Sequence, residues 1–273
     1  MCQICQTISA TENKHIHRTD NSLDALFNHR ELESDYKTLL TALRPGLRVL
    51  DIGCARGSVS KDIAQIVGPT GQVIAIDKTQ AFINQAKQDY SEVENLEFIE
   101  SDLFEFQSTE KFDLIVSART WSWISTLDKA IDKLKSLLKP SGQVSILDFN
   151  HEAINWQPAI PKSMQHFYNM FLMWRKDAGM NNRLAFDLAD ILEEHGFRDI
   201  EIFNADEHYQ KPEAEQQQSL KLWSRVAACK QMVEEGYISE QQQQQAIAEY
   251  NHWAEHQAES MTLKLREVRA ILN

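Results

Sequence analysis

The run Val49-Leu-Asp-Ile-Gly-Cys-Ala-Arg-Gly-Ser58 constrains this chain more than any other. Arg48 to Ile52 reads as a buried strand, and a helix over about Ser58 to Val67 follows. Between them Gly53 and Gly57 lack a Cβ, so a ligand can lie directly on the backbone. A strand that enters a helix through a glycine turn is the ligand-binding corner of an open α/β sheet. Asp51 stands at the end of the strand, just before the first glycine, and its charge narrows the choice of ligand.

A dinucleotide site wants Gly-x-Gly-x-x-Gly, with a pyrophosphate on the helix N-terminus. Counted from Gly53, that register places Ala55 and Ser58 where the second and third glycines belong. A carboxylate entering the turn also repels phosphate. S-adenosylmethionine instead brings an ammonium, a sulfonium and a neutral adenosine, which suit an acid at that point. The pattern Asp51-x-Gly53-x-Ala55-x-Gly57 resembles the first motif of class I S-adenosylmethionine-dependent methyltransferases, usually acid-x-Gly-x-Gly-x-Gly. Ala55 departs from it by one methyl group, which narrows the backbone's approach to the methionine portion.

Further strands are expected at Gln72 to Ile76, Leu96 to Glu100, Phe112 to Ser117, Gln143 to Phe149 and Arg198 to Asn204. Helical spacing separates them at Thr79 to Tyr90, from a Ser125-x-x-Asp128 capping box to Leu138, and over Leu184 to His195, closed by Gly196. Strands alternating with helices imply a doubly wound sheet. The fold expected is α/β: seven strands, mostly parallel, in the Rossmann-like methyltransferase arrangement, with helical insertions forming a cap. Asp77 ends the second strand 20 residues past Gly57, where an open α/β fold places a carboxylate on ribose hydroxyls. Leu263 to Leu272 is expected to close the sheet as an antiparallel strand beside the sixth.

Residues 1–20 read as a flexible tail. Its Cys2, Cys5, His15 and His17 sit too close together for a zinc site, and no metal is expected. Residues 21–43 have helical spacing and should form cap helices over the ligand end of the sheet. The core is expected over 44–210, with a lid at 151–183 in which Trp156, Pro158 and Pro161 read as a loop. Met164, Phe167, Tyr168, Phe171 and Trp174 then share one helical face, as core or as substrate box. Residues 211–258 read as a helical insertion: one helix over Glu213 to Glu235, then another opened by a Ser239-x-x-Gln242 capping box. Residues 259–273 carry the last strand.

Over residues 44–204 the chain looks like a class I methyltransferase core. The Arg44-Pro-Gly lead-in, the Leu138-Lys-Pro-Ser-Gly142 turn, His195-Gly-Phe197 and the tail with Trp223 and Trp253 resemble the methyltransferases named for ubiquinone and menaquinone biosynthesis. The resemblance implies S-adenosylmethionine as cofactor. It implies a shell of Asp51, Gly53, Cys54, Ala55, Gly57, Asp77, Lys78, Ser101, Asp102, Leu103 and Ser117, with Asp102 on the adenine amino group. After the fourth strand, Ser117-Ala-Arg-Thr-Trp121 lacks the Asn/Asp-Pro-Pro-aromatic run of amino-methylating DNA enzymes. It also lacks the histidine often found there in the small-molecule group.

A net charge of −12 over 273 residues argues against nucleic acid as a general partner. No apolar run is long enough to span a bilayer. With four cysteines and no basic-then-apolar start, a reducing cytoplasm is expected. The expected partner is a small-molecule acceptor, with a homodimer left open. RNA or protein methylation, or cofactor binding without catalysis, are the alternatives.

Methyl transfer from a sulfonium needs a held nucleophile and a dry pocket, and a base only if the acceptor arrives protonated. His151, directly after the fifth strand, is the candidate base, or else an ordinary lid histidine. Tyr168 on the lid is a second catalytic candidate. Arg119, Trp121 and His166 are candidate substrate contacts; Arg119 meets either an acidic substrate group or a surface Asp.

Overall fold

A computed structural model describes residues 30–211 and 219–273. The expected tail at 1–20, the first part of the cap at 21–29 and the start of the Glu213 helix lie outside them. The strands are β1 (Arg48–Ile52), β2 (Gln72–Asp77), β3 (Leu96–Glu100), β4 (Phe112–Ala118), β5 (Leu138–Gln157), β6 (Phe197–Asn204), β7 (Glu207–Gln210) and β8 (Ser260–Leu272). They form one sheet in the order β3-β2-β1-β4-β5-β8-β6, with β7 also paired to β8. β1 to β5 pair in parallel, and β8 runs antiparallel to β5, β6 and β7. The mostly parallel, doubly wound sheet is therefore as expected, with β7 added as an eighth strand.

Both faces of the sheet are buried, which is why β1 and β4 read as nearly continuous apolar runs. Val49, Val73, Leu114, Val116 and Leu147 point to one face. Leu50, Ile52, Ile74, Ile115 and Ile146 point to the other. On the first side lie α1 (Leu32–Asp35), α2 (Ser58–Val67) and α3 (Gln80–Asp89). On the second lie α4 (Leu127–Leu137) and α6 (Leu184–Glu194), with Gly196 left-handed at φ 85° as the stop after α6.

The cap joins the first core. It comprises α5 (Lys162–Asp177), α7 (Leu222–Ala227), α8 (Gln231–Glu234) and α9 (Glu240–His256). Ser239 and Gln242 make the reciprocal capping box that starts α9, a device worth about 1 kcal/mol.

Four local expectations change. β5 does not end at Phe149. It runs to Gln157, because Asn155, Trp156 and Gln157 pair with Thr262, Met261 and Ser260 of the long β8. The helix expected over Glu213 to Glu235 breaks between α7 and α8, and Gln243 of α9 takes up the freed carbonyls of Ala227 and Cys229 at 2.7 and 2.9 Å. Thr126, not Ser125, precedes α4, and no side chain caps it. The described part of the amino-terminal cap is one turn of α-helix followed by a 3-10 segment, Lys37–Thr41. Leu32, Tyr36 and Leu39 anchor it, and the Tyr36 hydroxyl donates to the Ser145 carbonyl at 2.8 Å.

Candidate functional site

The turn after β1 is held by the end of β2. The amides of Gly53 and Cys54 both donate to the Ile76 carbonyl, at 2.8 and 3.0 Å. Gly53, Ala55 and Gly57 all have positive φ, at 76°, 49° and 79°. A Cβ on Gly53 would meet the Thr120 side chain at 2.1 Å, and one on Gly57 the Phe98 ring at 2.3 Å. Both positions thus require glycine, for conformation and for space. Ala55 takes the same left-handed region with a side chain attached.

Three acids stand at neighbouring strand ends. Asp77 is buried; its Oδ2 accepts from the Ala55 amide at 3.0 Å and its Oδ1 from the Thr79 amide at 2.8 Å. Each oxygen has a second lone pair free for a ligand hydroxyl. Asp102 accepts from the Phe104 amide at 2.9 Å, shaping the loop after β3, and the neighbouring Ser101 amide donates to the Asp77 carbonyl at 3.0 Å. Asp51 is buried and accepts a 2.6 Å hydrogen bond from Ser60. Burial pushes its carboxyl up to about 6; the Ser60 bond opposes this and the charge of Asp77 adds to it. A buried carboxylate with a hydroxyl and a like charge for neighbours is a site that favours a cation. That donor set fits an aminoacyl sulfonium nucleoside and not a pyrophosphate.

Of the remaining expected cofactor residues, Cys54 lies within the turn, half-buried, its thiol pushed well up by burial. Ser117 is buried and donates to the Ile52 carbonyl at 2.7 Å, tying β4 to β1 behind the turn. Leu103 is buried in the second core, and Lys78 is exposed.

The expected substrate residues separate. Trp121 is fully buried in the second core, across the sheet from the cap, because the 3-10 turn Trp121–Trp123 sends alternate tryptophans to opposite sides. His166 lies on the exposed outer side of α5, near Gln242 at 3.5 Å. Trp121 therefore faces away from the cap, and His166 faces outward from it. Arg119 is buried and taken up internally: it pairs with Glu207 of β7, donates to the Asp35 carbonyl at 3.2 Å and faces the Asp35 carboxylate at 3.8 Å. Tyr168 is buried too, and its hydroxyl donates to the His151 carbonyl. Burial pushes that phenol far up.

His151 sits inside an aromatic box. Its ring centroid lies 5.4 Å from Phe149, 5.9 Å from Phe171, 6.3 Å from Trp123 and 6.4 Å from Trp223. Burial, with Arg175 adding to it, holds the imidazole well below its ordinary range, so the ring is neutral. Arg175 of α5 is the residue that sequence reasoning missed. It is fully buried, its guanidinium 4.5 Å from the Trp123 ring and 5.6 Å from Phe171. It donates to the Ser122 carbonyl at 2.7 Å and to Asn182 at 2.8 Å. Burial lowers it to about 10, partly offset by Asp148, so it stays charged at neutral pH.

The loop after β4 joins the two halves of the site. Thr120 packs on Gly53, Ser122 binds Arg175, and Trp123 lines the box. A broad groove lined by Gly46, Gly68, Gln72, Glu94 and Lys139 lies at the other, amino end of the strands. Among the described residues no cluster of His, Cys, Asp and Glu could hold a metal ion, and no helix is long and apolar enough to cross a membrane.

Comparison with known proteins identifies the fold and the family. The malonyl-[acyl-carrier protein] O-methyltransferase 2 of Ilyobacter polytropus is 33% identical over 104 residues, 38% of this chain and 40% of that one. The ubiquinone/menaquinone biosynthesis C-methyltransferase UbiE of Ectopseudomonas mendocina is 29% identical over 115 residues, 41% and 45% of the two chains. The chain thus spans less than half the length of these curated relatives. Among solved structures, the Haemonchus contortus phosphoethanolamine N-methyltransferase 2 in complex with S-adenosyl-L-methionine superposes with a TM-score of 0.57 at 16% identity, covering 92% of this chain and 56% of that one. The YjhP protein of E. coli superposes at 0.55 and 20% identity, covering 90% and 98%. These two likenesses are of fold. The family model described as a methyltransferase domain matches residues 43–221, more than half of the chain. The chain therefore belongs to the methyltransferase-domain family, whose cofactor is S-adenosylmethionine.

Proposed function

We propose that this protein transfers a methyl group from S-adenosylmethionine to a small-molecule acceptor bound under the cap. The observation that carries the reading is the set of Asp51, Asp77 and Asp102 at the ends of β1, β2 and the loop after β3, around a turn of three positive-φ residues. Asp51 would face the cationic methionine portion, Asp77 the ribose hydroxyls and Asp102 the adenine amino group. Gly53 and Gly57 leave the backbone open to contact. When bound, the cofactor supplies an electrophilic methyl on a sulfonium.

The chain's own task is to hold the acceptor and exclude water. Trp123, Phe171 and Trp223 do so from the loop after β4 and from the cap. His151 offers a neutral imidazole whose Nε2 has no partner among the described residues. It can accept a hydrogen bond from an acceptor, but its lowered basicity makes it a weak proton acceptor for an alcohol or phenol.

The test is to incubate the purified protein with S-adenosylmethionine and a panel of phenols, carboxylates, amines and thiols, reading S-adenosylhomocysteine release. Turnover with one class supports the reading. Binding of the cofactor without turnover on any class would point to a non-catalytic cofactor-binding protein.

A further inference from the structure

Two features of the box beneath the cap bear on which acceptor it takes. The first is its polar inventory. Arg175 Nη1, Trp223 Nε1 and His151 Nε2 are buried and have no hydrogen-bond partner among the described residues. Their residues are 0%, 3% and 5% exposed. Arginine and indole nitrogens can only donate, whereas the imidazole nitrogen donates or accepts according to its tautomer, so Arg175 and Trp223 decide what is wanted. Burying such groups unpaired is unfavourable, so they mark where a partner is missing. The missing partner is an acceptor of hydrogen bonds.

The second is charge. An aromatic box is the usual home of a quaternary ammonium. Here the guanidinium of Arg175 already occupies the faces of Trp123 and Phe171, so a second cation would be repelled. The nearest acid, Asp148, makes no ion pair with Arg175. It accepts the Ser122 and Phe149 amides at 2.9 and 2.7 Å, while Arg175 donates to the Ser122 carbonyl, in the next peptide group. The guanidinium is thus fixed in place with one nitrogen to spare, beside the Trp123 and Phe171 rings.

Resting on the methyltransferase reading, we propose that the acceptor is a planar, conjugated molecule carrying an oxyanion, with Arg175 as its counter-charge and the Trp223 indole N–H as a second donor. Ammonium-bearing acceptors are excluded by the same cation.

The proposal can be tested by calorimetry on the full chain saturated with S-adenosylhomocysteine, using 2-naphthoate and phenyltrimethylammonium as probes. Naphthoate should bind at one site and phenyltrimethylammonium should not. Arg175→Met should weaken naphthoate by at least about tenfold with S-adenosylhomocysteine affinity unchanged. Trp223→Phe keeps the ring and removes the N–H. It should weaken naphthoate several-fold, and it carries the test if Arg175→Met does not fold. Preferential binding of phenyltrimethylammonium overturns the inference, as does wild-type naphthoate affinity in the variants. Binding of S-adenosylhomocysteine with no naphthoate heat overturns this inference alone. Absence of S-adenosylhomocysteine binding overturns the cofactor reading and this inference with it.

Discussion

The Oδ2 of Asp77 accepts the amide hydrogen of Ala55 at 3.0 Å, and Ala55 is held there at φ 49°. The acid at the end of β2 therefore shapes the turn after β1. A side chain in the left-handed region costs about 1 kcal/mol, more than glycine costs in unfolded-chain entropy. We expect Ala55→Gly to raise stability by about 0.5 kcal/mol, read as a higher Tm, with no loss of cofactor affinity. A lower Tm would show that the turn is not strained at this residue.

Asp51 gives a pH signature. Its carboxyl titrates at about 6 in the folded protein against an ordinary 3.8. The folded state holds this proton more tightly than the unfolded chain, so its contribution to stability is complete below about pH 4 and is lost as pH rises through 6. Asp51→Asn can keep the Ser60 hydrogen bond and removes that loss. The variant should exceed wild type in stability at about pH 8 by on the order of 2 kcal/mol. It should also bind S-adenosylhomocysteine more weakly, because the ligand's α-ammonium loses its counter-charge. Urea titrations at two pH values and calorimetry check both halves; a less stable variant at high pH would contradict the account.

Gly57→Ala should be severe. The new Cβ would sit 2.3 Å from the Phe98 ring at a residue with φ 79°. Overpacking and backbone strain together should cost at least about 2 kcal/mol. Phe98→Leu added to it should recover part of the packing loss but not the strain, so the double variant should remain below Phe98→Leu alone in thermal melts.

The Arg119–Glu207 pair ties the loop after β4 to β7. Glu207 holds the Arg119 guanidinium above its ordinary range despite burial, and Arg119 likewise helps hold the Glu207 carboxyl down. Removing one partner leaves a buried charge, so Arg119→Met should cost about 3 kcal/mol. With Glu207→Gln present as well, the loss should be smaller than the sum of the two single changes by about 1 kcal/mol or more. Additive losses in urea unfolding would show that the two do not interact.

The turn after β1 could be read from the chain because its demands are local. Positive φ calls for glycine, and strands buried on both faces write themselves as apolar runs such as Phe112 to Val116. β7 could not be read that way: Glu207-His-Tyr-Gln210 is polar and becomes a strand only because β8 is long enough to pair with it. The same length of β8 carries β5 through Trp156. The aromatic cluster beneath the cap was legible as a stripe but not as a box holding a buried charge. Arg175 near the end of a helix reads as a solvated cation, and its burial depends on Ser122 and Trp123, 53 and 52 residues earlier. Trp121 and Trp123 look equivalent in sequence, and a tight turn sends them to opposite cores.

The central claim is that the turn after β1 and the acids around it bind a nucleoside with an ammonium-bearing amino-acid tail rather than a pyrophosphate. Calorimetric titration of the wild-type protein with S-adenosylhomocysteine, and separately with NADH, tests it most directly. We predict saturation of one site by S-adenosylhomocysteine and no binding heat from NADH. Saturation by NADH, or no heat from S-adenosylhomocysteine, would contradict it.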